Sequence, residues 1–259
     1  MTNTKKKTAD IKKLEEKHFI RRMLYEKNES HMQKYKTLVI GGESMPALIK
    51  YEMITILFGS IPGAPGLFLR KFFYPKLFDN IKKGVLFGKN VTIRHPSKIR
   101  VDNNVIFDDN CLICARGAGE EGVRIEENVI INRGAVIQAK IGPIHIGGNT
   151  SIGSNAYLSS QGGIFIGRNV RIAGGCYISG GASKLVGDKH IVEERYTKGP
   201  IRIDDNVHLG MGAIVLDNVH IQEGAIVGPG SVVLTNVPEY AVVMGNPAKI
   251  WRKMDKTGN

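Results

Sequence analysis

The sequence predicts a mainly β fold, a parallel β-helix whose short strands wind into triangular coils, preceded by a helical N-terminal segment. Two observations predict it. Apolar residues recur at every sixth position from Val101 onward, and small or β-branched residues recur four positions after them. Fixed periods of this kind are typical of solenoid proteins, in which each repeat packs on its neighbours.

The six-residue period is seen in six aligned segments: 101–113, 125–137, 146–158, 166–178, 203–215 and 221–233. In each segment the first, seventh and thirteenth residues are apolar, as in Val101, Phe107 and Ile113. One hexad supplies one short strand and one turn, so three hexads close one coil. Coils then stack through backbone hydrogen bonds at strand spacing, roughly 4.8 Å apart. A sandwich or barrel would show a period of two without this six-residue phase.

A second series of residues, four positions after the first and seventh members, is small or β-branched throughout. A larger side chain would not fit beside the apolar residue inside the coil. Gly, Asn and Asp follow at the corners, where the chain must turn. The series is Val105, Cys111, Val129, Ala135, Thr150, Ala156, Val170, Cys176, Val207, Ala213, Ala225 and Ser231. Cys111 and Cys176 are therefore core residues, although "CLIC" (111–114) has a CxxC spacing.

The charge divides the chain into two parts. Residues 1–100 carry 21 Lys and Arg against 8 Asp and Glu, a balance of +13, whereas residues 101–259 carry 15 against 16, a balance of −1. The expected domains are therefore a basic, partly apolar helical segment over 1–80 and the β-helix over 81–259. The N-terminal cations belong to no nucleic-acid-binding motif, so nucleic acid is not expected as a partner. Three Cys and no signal peptide indicate the cytoplasm.

The N-terminal segment has two apolar stretches. Residues 9–27 are predicted to form an exposed amphipathic helix, and 44–78 is the most apolar region of the chain. Its longest uncharged stretch, 53–69, is interrupted by Gly and Pro and is too short to span a bilayer. Two interpretations stay open: a helical cap on the β-helix or on a second subunit, and peripheral contact with the inner face of a membrane.

The chain resembles the hexapeptide-repeat acyltransferases from about Val85 to Lys253. The resemblance is carried by the repeats, by the tail "LGMGAIVLDNVHIQEGAIVGPGSVVLTNVPEYAVVMGNPAKIWRK" (209–253) and by "GKNVTIRHP" (88–96), typical of the branch that acetylates sugars and surface polysaccharides. It implies a left-handed parallel β-helix, usually homotrimeric. It also implies acetyl-CoA as the acyl donor, no metal, and a His general base acting on a hydroxyl or amine of a sugar, nucleotide sugar or glycan precursor.

The resemblance also implies where the donor would bind. Gly210, Gly212, Gly228 and Gly230 would line the groove for the pantetheine arm, and Lys249 and Arg252, with Lys253, would approach the CoA phosphates. Simple turn geometry explains these glycines equally well. "GMGAIV" is not a dinucleotide-binding motif, since a strand rather than a helix follows it.

The period breaks between Ile178 and Ile203, where the extra loop 180–200 is expected to roof the acceptor pocket. In the family this loop carries the catalytic His, but the corresponding register here is "GGASKLV" (180–186), with Ser183 in its place. His190, oriented by Glu193 or Glu194, is one candidate for the base. His208, facing out of the coil into the groove, is another. The alternative function is a non-catalytic trimeric scaffold, and the acceptor, the acyl length and the choice between O- and N-acylation stay open.

Overall fold

The computed structural model describes residues 30–42, 44–117, 119, 121–180, 182–184, 195–197 and 199–254. For 182–184 and 195–197 the description is of the backbone. The helix predicted over 9–27 lies outside the described residues. Within them the chain forms three N-terminal helices and then a parallel β-helix that runs to the C-terminal strand.

Three parallel sheets form the three faces of the β-helix, and each coil contributes one strand to each face. The first sheet contains β1 (Asn80–Ile81), β4 (Ile99–Val101), β7 (Val123–Ile125), β10 (Ile144–Ile146), β13 (Ile164–Ile166), β18 (Ile201–Ile203) and β21 (His220–Ile221). The second contains β2 (Leu86–Phe87), β5 (Ile106–Phe107), β8 (Ile130–Ile131), β11 (Ser151–Ile152), β14 (Arg171–Ile172), β19 (His208–Leu209), β22 (Ile226–Val227), β24 (Ala241–Met244) and β25 (Lys249–Lys253). The third contains β3 (Thr92–Arg94), β6 (Leu112–Cys114), β9 (Val136–Ala139), β12 (Tyr157–Ser160), β15 (Tyr177–Ser179), β20 (Ile214–Val215) and β23 (Val232–Val233).

The interior of the β-helix is the column of apolar residues that the repeats predict. All eighteen predicted positions are fully buried, and so are all twelve members of the small series. Cys111 and Cys176 are among them. The structure adds one coil before those that the sequence alignment includes, with Phe87 and Ile93 at its inward positions. The Phe87 and Phe107 rings stack, with centroids 5.2 Å apart.

The corner between the first and second sheets is held by a ladder of asparagines. Asn104, Asn128, Asn149 and Asn169 all have φ near +57°, a conformation that Asn tolerates better than most residues. Each side-chain amide donates to the oxygen of the next in line, at 3.3 Å, 3.0 Å and 3.3 Å. The asparagine ladder therefore repeats from coil to coil at this corner, and the chain has no insertions there between Val101 and Val227.

All chain insertions within the helix fall at one corner, between the third sheet and the first. They occupy 95–98, 115–122, 140–143, 161–163 and 180–200, while the other two corners keep their short turns. In the last and longest, β16 (Ala182–Lys184) pairs antiparallel with β17 (Arg195–Thr197), so the loop 180–200 contains a hairpin that leaves the coil. Its base is fixed by Gly199, whose N–H donates to Asp217 Oδ1 at 3.1 Å.

The three N-terminal helices pack on the first coil. They are α1 (His31–Val39), α2 (Met45–Phe58) and α3 (Gly63–Phe73), followed by a 3₁₀ turn over Tyr74–Leu77. Ser30 and Ser44 cap α1 and α2 by accepting hydrogen bonds from Gln33 N and Ala47 N. A second 3₁₀ turn, Pro96–Lys98, follows β3.

Two buried polar side chains fasten these helices to the coil. Tyr51 Oη donates to the carbonyl of Ile93 at 2.7 Å, and burial raises the pKa of Tyr51 to about 12. The Arg70 guanidinium donates to the carbonyls of Phe87, Phe58 and Ile61 at 2.9, 3.0 and 2.8 Å. The buried side of the 44–78 segment thus packs on the β-helix, as the cap interpretation predicts. No helix among the described residues is both long and apolar enough to cross a membrane.

Candidate functional site

A strip of uncovered backbone runs down the corner between the second and third sheets. Gly175, Gly212 and Gly230 occupy the same turn position in three consecutive coils, with φ of 67°, 69° and 65°. A Cβ built on any of the three would meet no other atom within 4 Å. We call these three residues the glycine corner. It presents a flat, narrow surface against which an extended molecule can lie.

The other two glycines that the resemblance singled out have a different environment. A Cβ on Gly210 would lie 2.6 Å from the backbone nitrogen of Pro229, so close packing between coils already requires glycine there. A Cβ on Gly228 would meet the flexible side chain of Met244 at 2.8 Å. Of the four predicted positions, Gly212 and Gly230 are therefore the two whose environment is open.

His208 lies on β19, just before the turn that contains Gly212. Its neighbours Val207 and Leu209 are buried inside the coil, so the imidazole points outward from the second sheet. Its register partners are Arg171 in the coil before it and Ile226 in the coil after it. The side chain is half-buried, and burial, with the positive charge of Arg171 as a second cause, lowers the pKa of His208 below 6.5. At neutral pH this imidazole is therefore uncharged and can accept a proton.

The C-terminal strand β25 carries basic residues and begins near Gly230, which belongs to the last coil of the glycine corner. The chain turns after β24, where Gly245 N donates to Ser231 Oγ at 3.1 Å, and Ala248 N then donates to Val232 O at 2.8 Å. These bonds hold the start of β25 beside the turn that follows Gly230. All five residues of β25 are exposed: Lys249, Ile250, Trp251, Arg252 and Lys253. Lys249 thus lies nearest the open turns, whereas Arg252 and Lys253 lie further along β25, opposite Val242 and Ala241.

Only some of the residues that the sequence predicted for the loop 180–200 are among those that the structure describes. Ser183 pairs with Tyr196 in the hairpin, so the position that holds His in the family lies on β16. His190, Glu193 and Glu194 lie outside the described residues. The structure therefore does not test His190 as the base or Glu194 as the residue that orients it.

The remaining described histidines of the β-helix are tied to other side chains or to the backbone. His145 and His220 lie on the first sheet, where their Nε2 atoms are 3.3 Å from Glu126 Oε1 and 2.7 Å from Asp204 Oδ2. His95 is buried under α1, and its Nε2 lies 2.9 Å from the carbonyl of Thr37. Among the described residues no group of three or more His, Cys, Asp or Glu side chains is arranged to hold a metal ion.

Two features on the outward sides of the second and third sheets were not predicted from the sequence. Arg171 precedes Ile172 as His208 precedes Leu209, so the repeat alignment could have placed this cation beside the imidazole. Tyr157 and Tyr177, at matching positions of the third sheet, stack with ring centroids 4.9 Å apart. In both cases the repeat alignment gives the position of the residue. These positions point out of the coil, where the side chain is not restricted by packing, so the alignment alone did not mark them as functional.

Comparison with known families assigns the repeats. The model described as bacterial transferase hexapeptide (six repeats) matches residues 200–235, and the model described as hexapeptide repeat of succinyl-transferase matches 104–139 and 143–179. Three ranges of the chain are thus similar to hexapeptide-repeat transferases. The three matched ranges lie on either side of the hairpin, and they cover coils that the repeat pattern predicted.

Two curated relatives are acetyltransferases by name. A putative acetyltransferase of Saccharomyces cerevisiae is 33% identical over 113 residues, which are 42% of this chain and 58% of the relative. A galactoside O-acetyltransferase of Lactococcus lactis is 30% identical over 112 residues, 43% of this chain and 54% of the relative. The chain thus spans little more than half the length of these two relatives.

One solved structure supports the fold. It is a variant of AntD, an N-acyltransferase from Bacillus cereus, in complex with dTDP and coenzyme A. It superposes with a TM-score of 0.51 at 20% identity, over 70% of this chain and 86% of that one. The prediction of a left-handed parallel β-helix with an N-terminal helical segment is confirmed.

Proposed function

We propose that this chain is a hexapeptide-repeat transferase that moves an acyl group, most simply acetyl, from CoA to a hydroxyl or amine of a sugar or nucleotide sugar. One observation carries the proposal. The half-buried imidazole of His208, whose pKa is lowered, points outward from β19, the strand that leads into the open turn of Gly212. The named acetyltransferase relatives and the CoA-bound solved structure support the same reaction class. The proposed compartment is the cytoplasm.

The donor would lie along the glycine corner. Its pantetheine arm needs a narrow surface with accessible backbone, which Gly212 and Gly230 supply because neither carries a side chain. The phosphates of CoA need cations, which Lys249 and Arg252 supply from the exposed strand β25. No metal ion takes part in this scheme.

The reaction requires a general base because a sugar hydroxyl is a weak nucleophile at neutral pH. The base removes the hydroxyl proton as the oxygen attacks the thioester carbonyl, and the thiolate leaves with CoA. A backbone N–H donor stabilises the oxyanion that forms. His208 and His190 are the two candidates for the base, with Glu194 as the residue that orients His190. Only an imidazole that is uncharged at the working pH can act in this way, and the pKa of His208 meets that condition.

The acceptor and the subunit arrangement complete the proposal. One relative is a galactoside O-acetyltransferase, and the solved structure is an N-acyltransferase bound to dTDP. We assign a saccharide or nucleotide-sugar acceptor to this chain on that basis. In a homotrimer, residues of two chains would build each site.

The binding step is tested by titrating the purified protein with acetyl-CoA and desulfo-CoA. Trp251 is the only tryptophan and lies between Lys249 and Lys253 on β25, so its fluorescence reports occupancy directly. We expect both ligands to bind with micromolar affinity and to change this fluorescence. Absence of binding by both ligands would contradict the donor assignment.

The catalytic step is tested by three histidine variants assayed with a panel of sugar and nucleotide-sugar acceptors. Removal of the true base is expected to lower kcat by roughly 10²- to 10⁴-fold without weakening acetyl-CoA binding. His208→Ala and His190→Ala are the two test variants. His145→Ala is the control, since its imidazole faces Glu126 on the first sheet, away from the glycine corner. Full activity in both test variants would overturn the assignment of the base.

A second candidate function is a trimeric scaffold that has lost catalysis, favoured by the presence of Ser183 where the family has His. The same experiments separate the two functions. A scaffold of this origin would transfer no acyl group to any acceptor in the panel, and the histidine variants would then behave as the parent protein does.

A further inference from the structure

The N-terminal helices expose far more apolar surface than packing on the β-helix uses. One side of α2, with Leu48, Tyr51 and Ile54, is buried against the first coil. The opposite side carries large apolar residues as well, and Ile56 is 74% exposed. A helix that is apolar on both sides is normally covered on both sides. Within the described part of the chain, nothing covers the outer side of α2.

The exposed side of α2 continues into a groove against α1. The cavity has a volume of about 560 Å³, and Met32, Ile49 and Met53 are among its lining residues. Glu52 is the only charged residue of the lining, and its Oε1 accepts a hydrogen bond from Tyr35 Oη at 2.7 Å. The groove is therefore an apolar surface whose one acidic group already has a partner.

The third helix adds aromatic rings. Phe68 is 62% exposed, and Phe72, one turn further on, lies with its ring centroid 4.8 Å from that of Phe68. Lys71 is exposed on the same side, three residues after Phe68. In α2, Lys50 is likewise exposed, three residues before Met53. Each helix thus interleaves large apolar side chains with a lysine, a pattern typical of helices that lie in a membrane interface.

The exposed charge around these helices is predominantly positive. From residue 44 to residue 83, five lysines are exposed: Lys50, Lys71, Lys76, Lys82 and Lys83. Asp79 is the one exposed acidic residue of that range, and Lys82 pairs with Asp102 of the first sheet at 2.9 Å. Together, the apolar side chains and the lysines form what we call the helical face. An anionic bilayer complements both, since its headgroups attract the lysines and its acyl chains accommodate the apolar side chains.

We propose that the helical face binds the surface of an anionic bilayer. The α2 and α3 side chains Ile56, Met53 and Phe68 enter the interface, and Lys50 and Lys71 contact the headgroups. The protein then lies on the membrane by the end of the β-helix at which the first coil is found. The acyl-transfer reaction is not needed for this contact.

Two alternative occupants of the helical face are a second copy of this chain and residues 1–29, and charge argues against both. A second copy bound through the same face would bring two lysine-rich surfaces together, and like charges in contact repel. Residues 1–29 carry nine Lys and Arg against five Asp and Glu, a balance of +4. A basic segment on a basic surface meets the same repulsion, whereas anionic lipids are attracted by both.

The proposal is tested by flotation of the full chain with phosphatidylcholine vesicles, with and without phosphatidylglycerol. We expect binding to the anionic vesicles, weakened by high salt because the headgroup contacts are electrostatic. Ile56→Glu/Phe68→Glu is expected to reduce the bound fraction at least about ten-fold. Lys50→Gln/Lys71→Gln is expected to lower the preference for phosphatidylglycerol. Both variants change exposed side chains, so the fold is expected to persist, and circular dichroism checks this.

Leu234→Glu is the matched control, since it puts the same charge on an exposed leucine in the last coil, far from the helices. It should bind vesicles as the parent protein does. Absence of binding to anionic vesicles, or equal binding by Ile56→Glu/Phe68→Glu, would overturn the proposal. A smaller molecular mass of Ile56→Glu/Phe68→Glu in solution would assign the face to a second copy instead. Acetyl-CoA binding, measured in parallel, should be unchanged in this variant, which separates the proposal from the transferase function.

Discussion

At the scale of single residues, His95 shows how one side chain can make the N-terminal cap sensitive to acid. It is 2% exposed, its backbone N–H donates to Val39 O at 2.9 Å, and its Nε2–H donates to Thr37 O at 2.9 Å. His95 Nδ1 is buried without a partner, and burial lowers the pKa of the ring to about 4. The folded protein therefore holds His95 neutral, where the unfolded chain would protonate it near pH 6.5.

Stability is accordingly expected to fall as the pH decreases from about 6.5 to about 4, because the unfolded state binds the extra proton. The full loss from this residue is roughly 3 kcal/mol. His95→Gln keeps a donor for the Thr37 carbonyl but cannot titrate. Urea unfolding at several pH values should show a flatter dependence in this range for the Gln variant. Parallel pH curves for the two proteins would contradict the assignment to His95.

At the scale of elements, the glycine corner offers a test that separates turn geometry from ligand binding. Gly175, Gly212 and Gly230 share a positive φ and an open Cβ position, so replacement by Ala should cost each about 1 kcal/mol of stability. If the donor lies along the turns of Gly212 and Gly230, Gly212→Ala and Gly230→Ala should also weaken acetyl-CoA binding about ten-fold. Gly175→Ala, one coil away, is the matched control. Calorimetry that shows equal losses for all three would contradict the placement of the donor.

The elements also show what the sequence could predict and why it stops. Every coil from Val101 to Val233 follows from the hexad rule, since each inward position admits only residues that fit the column. The first coil escaped the alignment although Phe87 and Ile93 keep the spacing. The hairpin could not be derived, because an excursion from the coil has no period. His208 was found from its outward phase, but its pKa is lowered by burial and then by the charge of Arg171, one coil away in space and 37 residues away in sequence.

At the scale of the whole molecule, the three faces of the β-helix differ in their outward residues. The first sheet is charged, with Arg100, Arg124 and Arg202 pointing out among its strands. The second and third sheets present apolar residues, such as Ile106, Ile130 and Tyr177, all of them exposed. Exposed apolar side chains aligned on two faces that meet at one corner are typical of a subunit interface. The first sheet is then left to face water.

We therefore expect self-association through the second and third sheets, which would bring the glycine corners of different subunits toward one another. Ile130→Lys places a charge in the expected interface, where its burial without a partner is unfavourable, and should shift the assembly toward monomers. Phe165→Lys is the control, since it makes the same kind of change on the first sheet. Light scattering coupled to size exclusion measures both masses. If Phe165→Lys dissociates the assembly and Ile130→Lys does not, the interface is the first sheet, and a site shared between subunits at the glycine corner would be wrong.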